Sequence, residues 1–246
     1  MSVSLSTRKS IMYEAVENLA DRAYRFIRQE LQEGKLTPGM QLVNRKLAER
    51  VGVSVIPVRE AIHRLVSEGL VEHVPGAGAF VRNPNREDLE ELYVLRDALE
   101  SCAAAEAAHY ITPHQLDDLD ALMTEFHEIR DLVSQRSEGY ATPSQFHRWL
   151  DCEAVFHQTV IEASGNRLIA KVIREHSAVT LVFESQRNSS RLLTMELAER
   201  TCRDKEDLLA ALRAGDGPRA REVMSAQIQR GCRDVLAFLR QQERRS

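Results

Sequence analysis

The chain has 246 residues, of which 43% are hydrophobic, and its 33 basic and 37 acidic residues give a formal net charge of −4. This composition excludes a wholly disordered chain, and the apolar runs are far shorter than the roughly 20 residues that cross a bilayer, so we expect no membrane partner. The four cysteines form no CxxC pair and the N-terminus has no secretory signal, which is typical of a cytoplasmic protein.

Charge is unevenly distributed along the chain. Residues 1–83 contain 12 basic and 9 acidic side chains, whereas residues 84–246 contain 21 and 28. The change coincides with the polar, proline-containing stretch 82–85, which is typical of a linker. We therefore predict two domains, residues 1–83 and residues 84–246, and expect the positively charged first domain to contact a polyanion.

The first domain has the pattern of three helices followed by a β-hairpin. A short second helix starts near Asn44, which is suited to cap it, and ends at Gly52. Ser54 then stands at the N-cap of a third helix, with its hydroxyl placed to accept a backbone N–H. Two short helices joined by a glycine turn form a helix-turn-helix, and apolar runs around residues 75–78 predict a hairpin. The first domain is therefore predicted to be a winged helix-turn-helix.

The apolar stripe of the third helix leaves one face for double-stranded DNA. The N-terminal end of such a helix enters the major groove, while cationic side chains hold the phosphates, and Gly76 lets the wing approach the DNA backbone. Each arginine taken alone is more often solvated surface, but on this topology the set favours DNA. The predicted DNA-binding residues are Arg45, Lys46, Ser54, Val55, Ile56, Pro57, Arg59, His63 and Gly76.

Residues 36–81 resemble the GntR family of bacterial transcription regulators. The matching landmarks are Pro38-Gly39, Leu47-Ala48, Gly52-Val53-Ser54, Pro57-Val58-Arg59-Glu60-Ala61, Leu65, Glu68-Gly69-Leu70, Gly78 and Phe80-Val81. The resemblance implies a DNA-binding homodimer. Where the family commonly has Arg-Thr after the capping serine, this chain has Val55 and Ile56. Because arginine is the usual reader of guanine, we expect an altered operator preference with DNA binding retained.

The second domain is predicted to be an all-α antiparallel bundle, which makes the whole chain mainly α. Strand signals end near Asn85, which forms a start like a capping box with Asp88. Further helices begin at Thr112 and Pro143, and glycine turns separate the later ones. Ligand sites in such bundles are built from side chains on facing helices.

Four of these helices place polar side chains on stripes of apolar residues. Burying such groups without partners is costly, so they lie either at the edge of a stripe or around a polar cavity. The edge is the more frequent case for one residue, because long side chains extend to solvent, but four helices together favour a cavity. The candidate effector-binding residues are Arg96, Glu153, His157, Lys205 and Gln227.

Residues 88–240 resemble the ligand-sensing C-terminal domain of the FadR branch of the same family. The landmarks include Arg96 with Glu100, Phe156-His157, Ala163-Ser164-Gly165-Asn166, Gly215-Asp216 and Met224. Many members bind a divalent metal through an Asp and three His. Here those positions are the degenerate set Glu153, His157, Lys205 and Gln227. Protonated lysine offers no lone pair and an amide is a poor ligand for zinc or nickel, so we predict no bound transition metal and no cofactor.

These patterns predict a transcription regulator, a repressor rather than an enzyme, that is controlled by a small carboxylate or phosphate effector. Lys205 either replaces the positive charge of the metal for that effector or forms a purely structural pair with Glu153. A metal-dependent regulator or metalloenzyme that uses Glu153 and His157 is disfavoured, because two ligands seldom hold a catalytic metal. A redox regulator that uses Cys152 or Cys202 is disfavoured because no neighbouring residue in the sequence suggests a reactive thiol.

Overall fold

The structure, a computed structural model, describes residues 18–32, 35–175, 182, 186 and 188–243. The first 17 residues, with which the predicted first domain begins, lie outside this part of the chain. The described first domain contains helices α1 to α3 and strands β1 to β3. The helices span Leu19–Gln32, Asn44–Val51 and Val55–Ser67, and the strands span Gln41–Leu42, Val71–Val74 and Gly78–Val81.

The three strands form one antiparallel sheet in the order β1-β3-β2. The hairpin of β2 and β3 pairs Val71 with Val81 and Val74 with Gly78, and its tip contains Gly76 with a φ of +77°. A positive φ favours glycine, so the tight tip depends on this residue type. The predicted wing is confirmed, whereas the two-residue strand β1 is too short to give a periodic pattern in the sequence.

The two predicted helix caps of the helix-turn-helix are wrong in detail. Helix α2 already begins at Asn44, and its N-cap is Val43, which has no capping side chain. Ser54 is the N-cap of α3, but its hydroxyl accepts no hydrogen bond from the helix. Ser54 and Ile56 are exposed at this end of α3. The first-turn N–H groups there are therefore open to water or to a phosphate oxygen, which removes the need for a side-chain cap.

Helix α3 is held firmly against α1. Ile27 of α1 and Val58 and Leu65 of α3 are completely buried in the core of the first domain. At the far end of α3, the Tyr24 hydroxyl donates to Glu68 at 2.8 Å, and the Arg64 guanidinium lies 3.7 Å from the centre of the Tyr24 ring. Apolar packing and these polar contacts together fix the orientation of the helix whose outer face is exposed.

The second domain is an antiparallel arrangement of helices, as predicted, and the mainly α fold class is confirmed. Its helices α4 to α9 span Arg86–Tyr110, Pro113–Ser134, Pro143–Ala163, Arg167–Glu175, Met195–Arg213 and Gly217–Glu243. A short 3₁₀ turn, Ser190–Leu192, precedes α8. Capping boxes start α4, α5 and α6, including the predicted pair of Asn85 and Asp88. Every helix in the described ranges is too short or too polar to span a lipid bilayer.

The buried apolar residues form two clusters, one within residues 23–81 and the other within residues 89–236. In the second cluster α9 packs along α4, while α6 contacts both α4 and α5. Phe126, Phe146 and Phe156 are its largest fully buried side chains. Leu92 of α4 packs against both clusters, and Arg82 forms an ion pair with Asp88 across the junction. Helix α4 therefore connects the two halves of the chain.

We expect Gly217→Ala to lower the stability of the second domain by about 1–3 kcal/mol. A Cβ at Gly217 would lie 2.9 Å from the Ala105 carbonyl oxygen and 3.0 Å from His109 Nε2, so α9 would have to move away from α4. Gly231→Ala is the matched control, because its Cβ would stand 3.7 Å from Tyr93 and alanine favours a helix interior. Urea unfolding measures both variants, and equal stabilities would contradict the close approach.

Candidate functional site

The first domain has a groove between the start of α2, the outer face of α3 and the wing. Arg45, Val55, Arg59 and His63 line this groove, together with His73 of β2. Both arginines and both histidines are exposed. Two helix surfaces and a strand that are distant in sequence therefore place cationic and polar side chains around one concave surface, which suits contact with phosphates and base edges.

The other predicted DNA-binding residues are not among those that line this groove. Lys46 is exposed on α2, Pro57 is half-buried in the first turn of α3, and Ser54 and Gly76 are exposed at the helix start and the wing tip. Ile56 is 67% exposed, which is unusual for so large an apolar side chain at a helix start. An exposed isoleucine there is suited to contact the methyl group of thymine.

Among the groove residues that are absent from the predicted DNA-binding set are His73 and Gln41. His73 lies on a strand of only four residues, in which three consecutive positions are exposed, so alternation could not assign it to a face. Gln41 of β1 donates from Nε2 to the Ala77 carbonyl oxygen at 2.7 Å and so connects β1 to the wing tip. The one feature of the sequence that could have identified His73 is its residue type, because it is a polar aromatic residue beside the predicted hairpin turn.

The second domain contains a cavity of about 90 Å³ between α4, α6, α8 and α9. Arg96, Glu153, His157 and Gln227, four of the five predicted effector-binding residues, line it. Lys205 is completely buried but lies behind Glu153 and is not part of the lining. Four polar residues that share stripes with apolar residues therefore do surround one internal space.

A buried carboxylate, Glu100, organises the α4 side of the cavity. Arg96 donates from Nε to Glu100 Oε1 at 2.6 Å, and His157 Nδ1 lies 2.5 Å from Glu100 Oε2. Glu100 is completely buried, and Arg96 Nη2 lies 3.5 Å from the His157 ring nitrogens. Glu100 is not among the predicted site residues, although its i, i+4 spacing from Arg96 is typical of an ion pair. It holds the two cavity-lining side chains in place.

The Glu153 carboxylate forms a second buried pair with Lys205. Lys205 Nζ donates to Glu153 Oε2 at 3.1 Å and lies 4.1 Å from the ring centre of Phe156 and 5.0 Å from that of Phe126. His157 Nε2 is 3.5 Å from the same Glu153 oxygen. The aromatic faces and the carboxylate offset part of the cost of burying an ammonium group.

Two acceptor atoms around this cavity have no hydrogen-bond partner in the described part of the chain. They are Glu153 Oε1 and Gln227 Oε1, and both are buried. Most buried polar atoms in folded proteins are satisfied, so each exception requires an explanation. Both oxygens belong to residues that line the same cavity.

Two further ion pairs join α8 to α9 beside the cavity. Arg200 Nη2 lies 2.5 Å from Asp234 Oδ2, and Arg230 Nη2 lies 2.7 Å from Asp204 Oδ1. All four residues line the cavity and are only partly exposed. They were not predicted as site residues, because charged residues along a helix are equally typical of a solvent-exposed helix face.

The buried carboxyls Glu100 and Glu153 are both held in the ionised form. Burial raises the pKa of Glu100, but the charges of Arg96 and His157 and their hydrogen bonds outweigh burial and lower the pKa to about 2. Burial likewise raises the pKa of Glu153, and Lys205 and His157 together lower it to about 2. Each carboxylate is therefore kept charged by cationic or hydrogen-bonding neighbours that are themselves buried.

These shifts predict a loss of stability in acid. Folding lowers both pKa values from about 4.5, so the unfolded chain takes up protons at higher pH than the folded chain. The contribution of the two carboxylates is complete above about pH 4.5 and is lost as the pH falls toward about 2, at roughly 3 kcal/mol for each group. Urea unfolding in steps from about pH 6 to about pH 3 measures this loss, and a constant free energy of unfolding would contradict it.

The residues around the cavity do not fit a divalent transition metal. No group of three or more His, Cys, Asp or Glu suited to hold a metal ion occurs among the described residues. A metal ion would need the Glu153 carboxylate as a ligand, but the Lys205 ammonium already contacts that carboxylate. An amide and an ammonium are also unsuitable partners for zinc or nickel.

The cysteines that were considered for redox regulation lack reactive character. Burial raises the pKa of the Cys152 thiol to about 12 and that of the Cys202 thiol to about 11. Because the thiolate is the reactive form, both side chains are nearly all protonated near neutral pH. The redox alternative is therefore disfavoured on chemical grounds.

Two family models match separate parts of the chain. Residues 19–81 match the bacterial regulatory proteins of the gntR family, and residues 91–230 match the FCD domain. The HTH-type transcriptional regulator McbR of Escherichia coli strain K12 is 33% identical over 105 residues, which are 43% of this chain and 48% of McbR. The HTH-type transcriptional repressor RspR of the same organism is 24% identical over 211 residues, 84% of each protein.

Solved structures share the fold at low sequence identity. E. coli McbR/YncC superposes with a TM-score of 0.70 at 22% identity, over 91% of this chain and 98% of that one. A putative GntR transcriptional regulator from Rhodococcus sp. RHA1 has a TM-score of 0.65 at 22% identity, over 89% and 97% of the two chains. The chain belongs to the gntR family of bacterial regulatory proteins, which are DNA-binding transcription regulators, and it carries an FCD domain behind its winged helix-turn-helix.

Proposed function

We propose that this protein is a cytoplasmic, homodimeric repressor whose operator binding is controlled by a small anionic metabolite in the cavity of the second domain. In this proposal residues 1–83 bind double-stranded DNA, and residues 84–246 bind the effector and form the dimer. The observation that carries it is the cavity itself, in which Arg96, His157 and Gln227 are buried polar residues on three helices. The name of the relative RspR, a transcriptional repressor, supports the sign of the regulation.

The effector contacts follow from the chemistry of the lining. A guanidinium binds a carboxylate or phosphate through directional, charge-assisted hydrogen bonds, and Arg96 is fixed by Glu100 for this task. His157 and Gln227 add hydrogen bonds from α6 and α9. Lys205 acts through Glu153, because it lies behind that carboxylate. The metalloenzyme alternative loses support, since the same ammonium stands where a metal would need Glu153.

Helix α4 provides the route from the cavity to the DNA-binding domain. Arg96 lies ten residues after the first residue of α4, a distance of about 15 Å along the helix axis. Between them, Leu92 packs against the first domain and Asp88 pairs with Arg82. A small displacement of Arg96 by an effector therefore changes the angle at which α4 meets the winged helix. A coupling of about 1–3 kcal/mol is enough for a useful switch.

The experiment that tests this function has two stages. In vitro selection with the full chain defines the bound DNA, and titration at several salt concentrations measures the phosphate contribution. A screen of small acids for release of that DNA then tests the effector. Enrichment of a two-part site and its release by an acid support the proposal. Failure to enrich any sequence overturns specific DNA binding, and enrichment without release by any acid overturns the control by an anionic effector.

A further inference from the structure

The two unsatisfied acceptors restrict the kind of ligand that the cavity accepts. Lys205 and His157 both approach Oε2 of Glu153, whereas Oε1 of the same carboxylate is buried and accepts a hydrogen bond from none of the described residues. Oε1 of Gln227, on the facing helix α9, is in the same state. A bound group that satisfies these atoms has to donate hydrogen bonds to them, because both atoms only accept.

An anionic group cannot meet this requirement. Ionised carboxylates and phosphates present acceptor oxygens, which oxygen atoms of Glu153 and Gln227 would repel. The anionic part of the effector therefore belongs on the Arg96 side of the cavity. The part that faces Glu153 and Gln227 has to be chemically different.

A cationic donor is also unfavourable at this position. The Glu153 carboxylate already binds the Lys205 ammonium at 3.1 Å. A second ammonium or a metal ion beside this carboxylate would be repelled by the positive charge of Lys205. Among the described residues, the other two carboxylates of the lining, Asp204 and Asp234, are likewise paired with arginines. A neutral donor at this position adds no second positive charge beside Lys205.

We infer that the effector carries a neutral hydrogen-bond donor, a hydroxyl or an amide NH₂, that donates to Glu153 Oε1 or Gln227 Oε1 while its anionic group faces Arg96. An NH₂ group has two hydrogens and can satisfy both acceptors, whereas a hydroxyl satisfies one of them. This inference rests on the proposed function and narrows its ligand class. The cavity volume of about 90 Å³ lies well below the roughly 300 Å³ of sites for drug-sized ligands, so the effector is compact. A simple carboxylic or keto acid leaves both acceptors unsatisfied.

The test compares small acids that differ only in the donor. Lactate and oxamate carry a neutral donor beside the carboxylate, pyruvate and propionate carry none, and malate with succinate forms a larger pair. Calorimetric titration of the full chain gives the Kd for each acid, and release of the selected DNA is measured beside it. We expect the donor-bearing acids of at least one size to bind at least tenfold more tightly than their donor-free counterparts.

Two variants on α9 connect this preference to the site. Gln227→Met removes one of the two acceptors at similar volume. We expect it to lower the preference for donor-bearing acids, most for oxamate, because Glu153 Oε1 remains to accept only one of the two amide hydrogens. Gln229→Met is the matched control, since Gln229 is exposed on the same helix, and it should keep the preference. Thermal unfolding of each variant without ligand shows that the comparison concerns folded protein.

The outcomes separate the inference from the proposed function. A donor-free acid that binds as tightly and releases DNA overturns the inference and leaves effector control intact. If no acid in the panel binds the protein and none releases DNA, both the anionic effector and the inference are overturned. Stabilisation of the wild-type chain by Mg²⁺ or Zn²⁺ alone, lost in Gln227→Met, would mean that the two acceptors hold a cation and would also overturn the inference.

Discussion

Lys205→Met is expected to lower the free energy of unfolding of the second domain by about 3–5 kcal/mol near neutral pH. The substitution removes the ammonium that lies 3.1 Å from Glu153 Oε2 and leaves His157 as the one close partner of the buried carboxylate among the described residues. An unpaired buried charge costs far more than the pair contributes, because desolvation is no longer offset. Methionine fills similar volume beside Phe126 and Phe156, so packing loss is a minor part of the effect.

The double variant Glu153→Met/Lys205→Met distinguishes charge imbalance from packing. Replacing both members of a buried pair by apolar residues is often neutral or stabilising, so we expect it to recover most of the lost stability. Lys46→Met is the control for an exposed lysine, with an expected change below about 0.5 kcal/mol. Urea unfolding measures all three. A stable Lys205→Met variant that no longer responds to the effector would instead make Lys205 a binding residue.

The parts of the fold that depend on neighbouring residues could be predicted from the sequence. The capping box of Asn85 and Asp88 and the wing turn at Gly76 each arise from a few consecutive positions. Strand β1 could not be predicted in the same way, because Gln41 and Leu42 extend only where β3 supplies backbone partners. A two-residue strand has no periodicity of its own.

The site shows the same division between local and tertiary information. Periodicity placed Arg96, Glu153, His157 and Gln227 on inner faces, and the structure brings them around one cavity. Periodicity could not show that the Lys205 side chain is buried behind the residues that line the cavity. The burial of Lys205 depends on aromatic rings of α5 and α6 that are distant in sequence.

The partners of these residues were equally inaccessible to periodicity. Glu100 contacts His157 across 57 positions of the chain, and Asp234 contacts Arg200 across 34. Helical spacing identifies which face a residue occupies, whereas the choice of partner is made by the packing of α4 on α6 and of α8 on α9. The unsatisfied atoms Glu153 Oε1 and Gln227 Oε1 can be recognised only once all such pairs are known.

Arg59→Glu is expected to weaken binding to the selected operator by at least about 100-fold. Arg59 is exposed on α3 and lines the groove that also contains Arg45, His63 and His73. Loss of one such cation costs about 1–3 kcal/mol, and a carboxylate in the same place adds repulsion from the phosphates. If Arg59 contacts a phosphate, the dependence of affinity on salt also becomes shallower, because fewer counterions are released. Folding should be unaffected, since the side chain points away from the core.

The control has to carry the same change in net charge outside the DNA surface. Arg167→Glu meets this condition, because Arg167 is exposed at the start of α7 in the second domain, and an acidic residue is favourable in the first turn of a helix. Fluorescence anisotropy with the selected duplex at several salt concentrations measures both variants. We expect Arg167→Glu to bind within about twofold of wild type. Equal losses in both variants would show a general effect of net charge, and wild-type affinity of Arg59→Glu would exclude this face of α3 from the DNA interface.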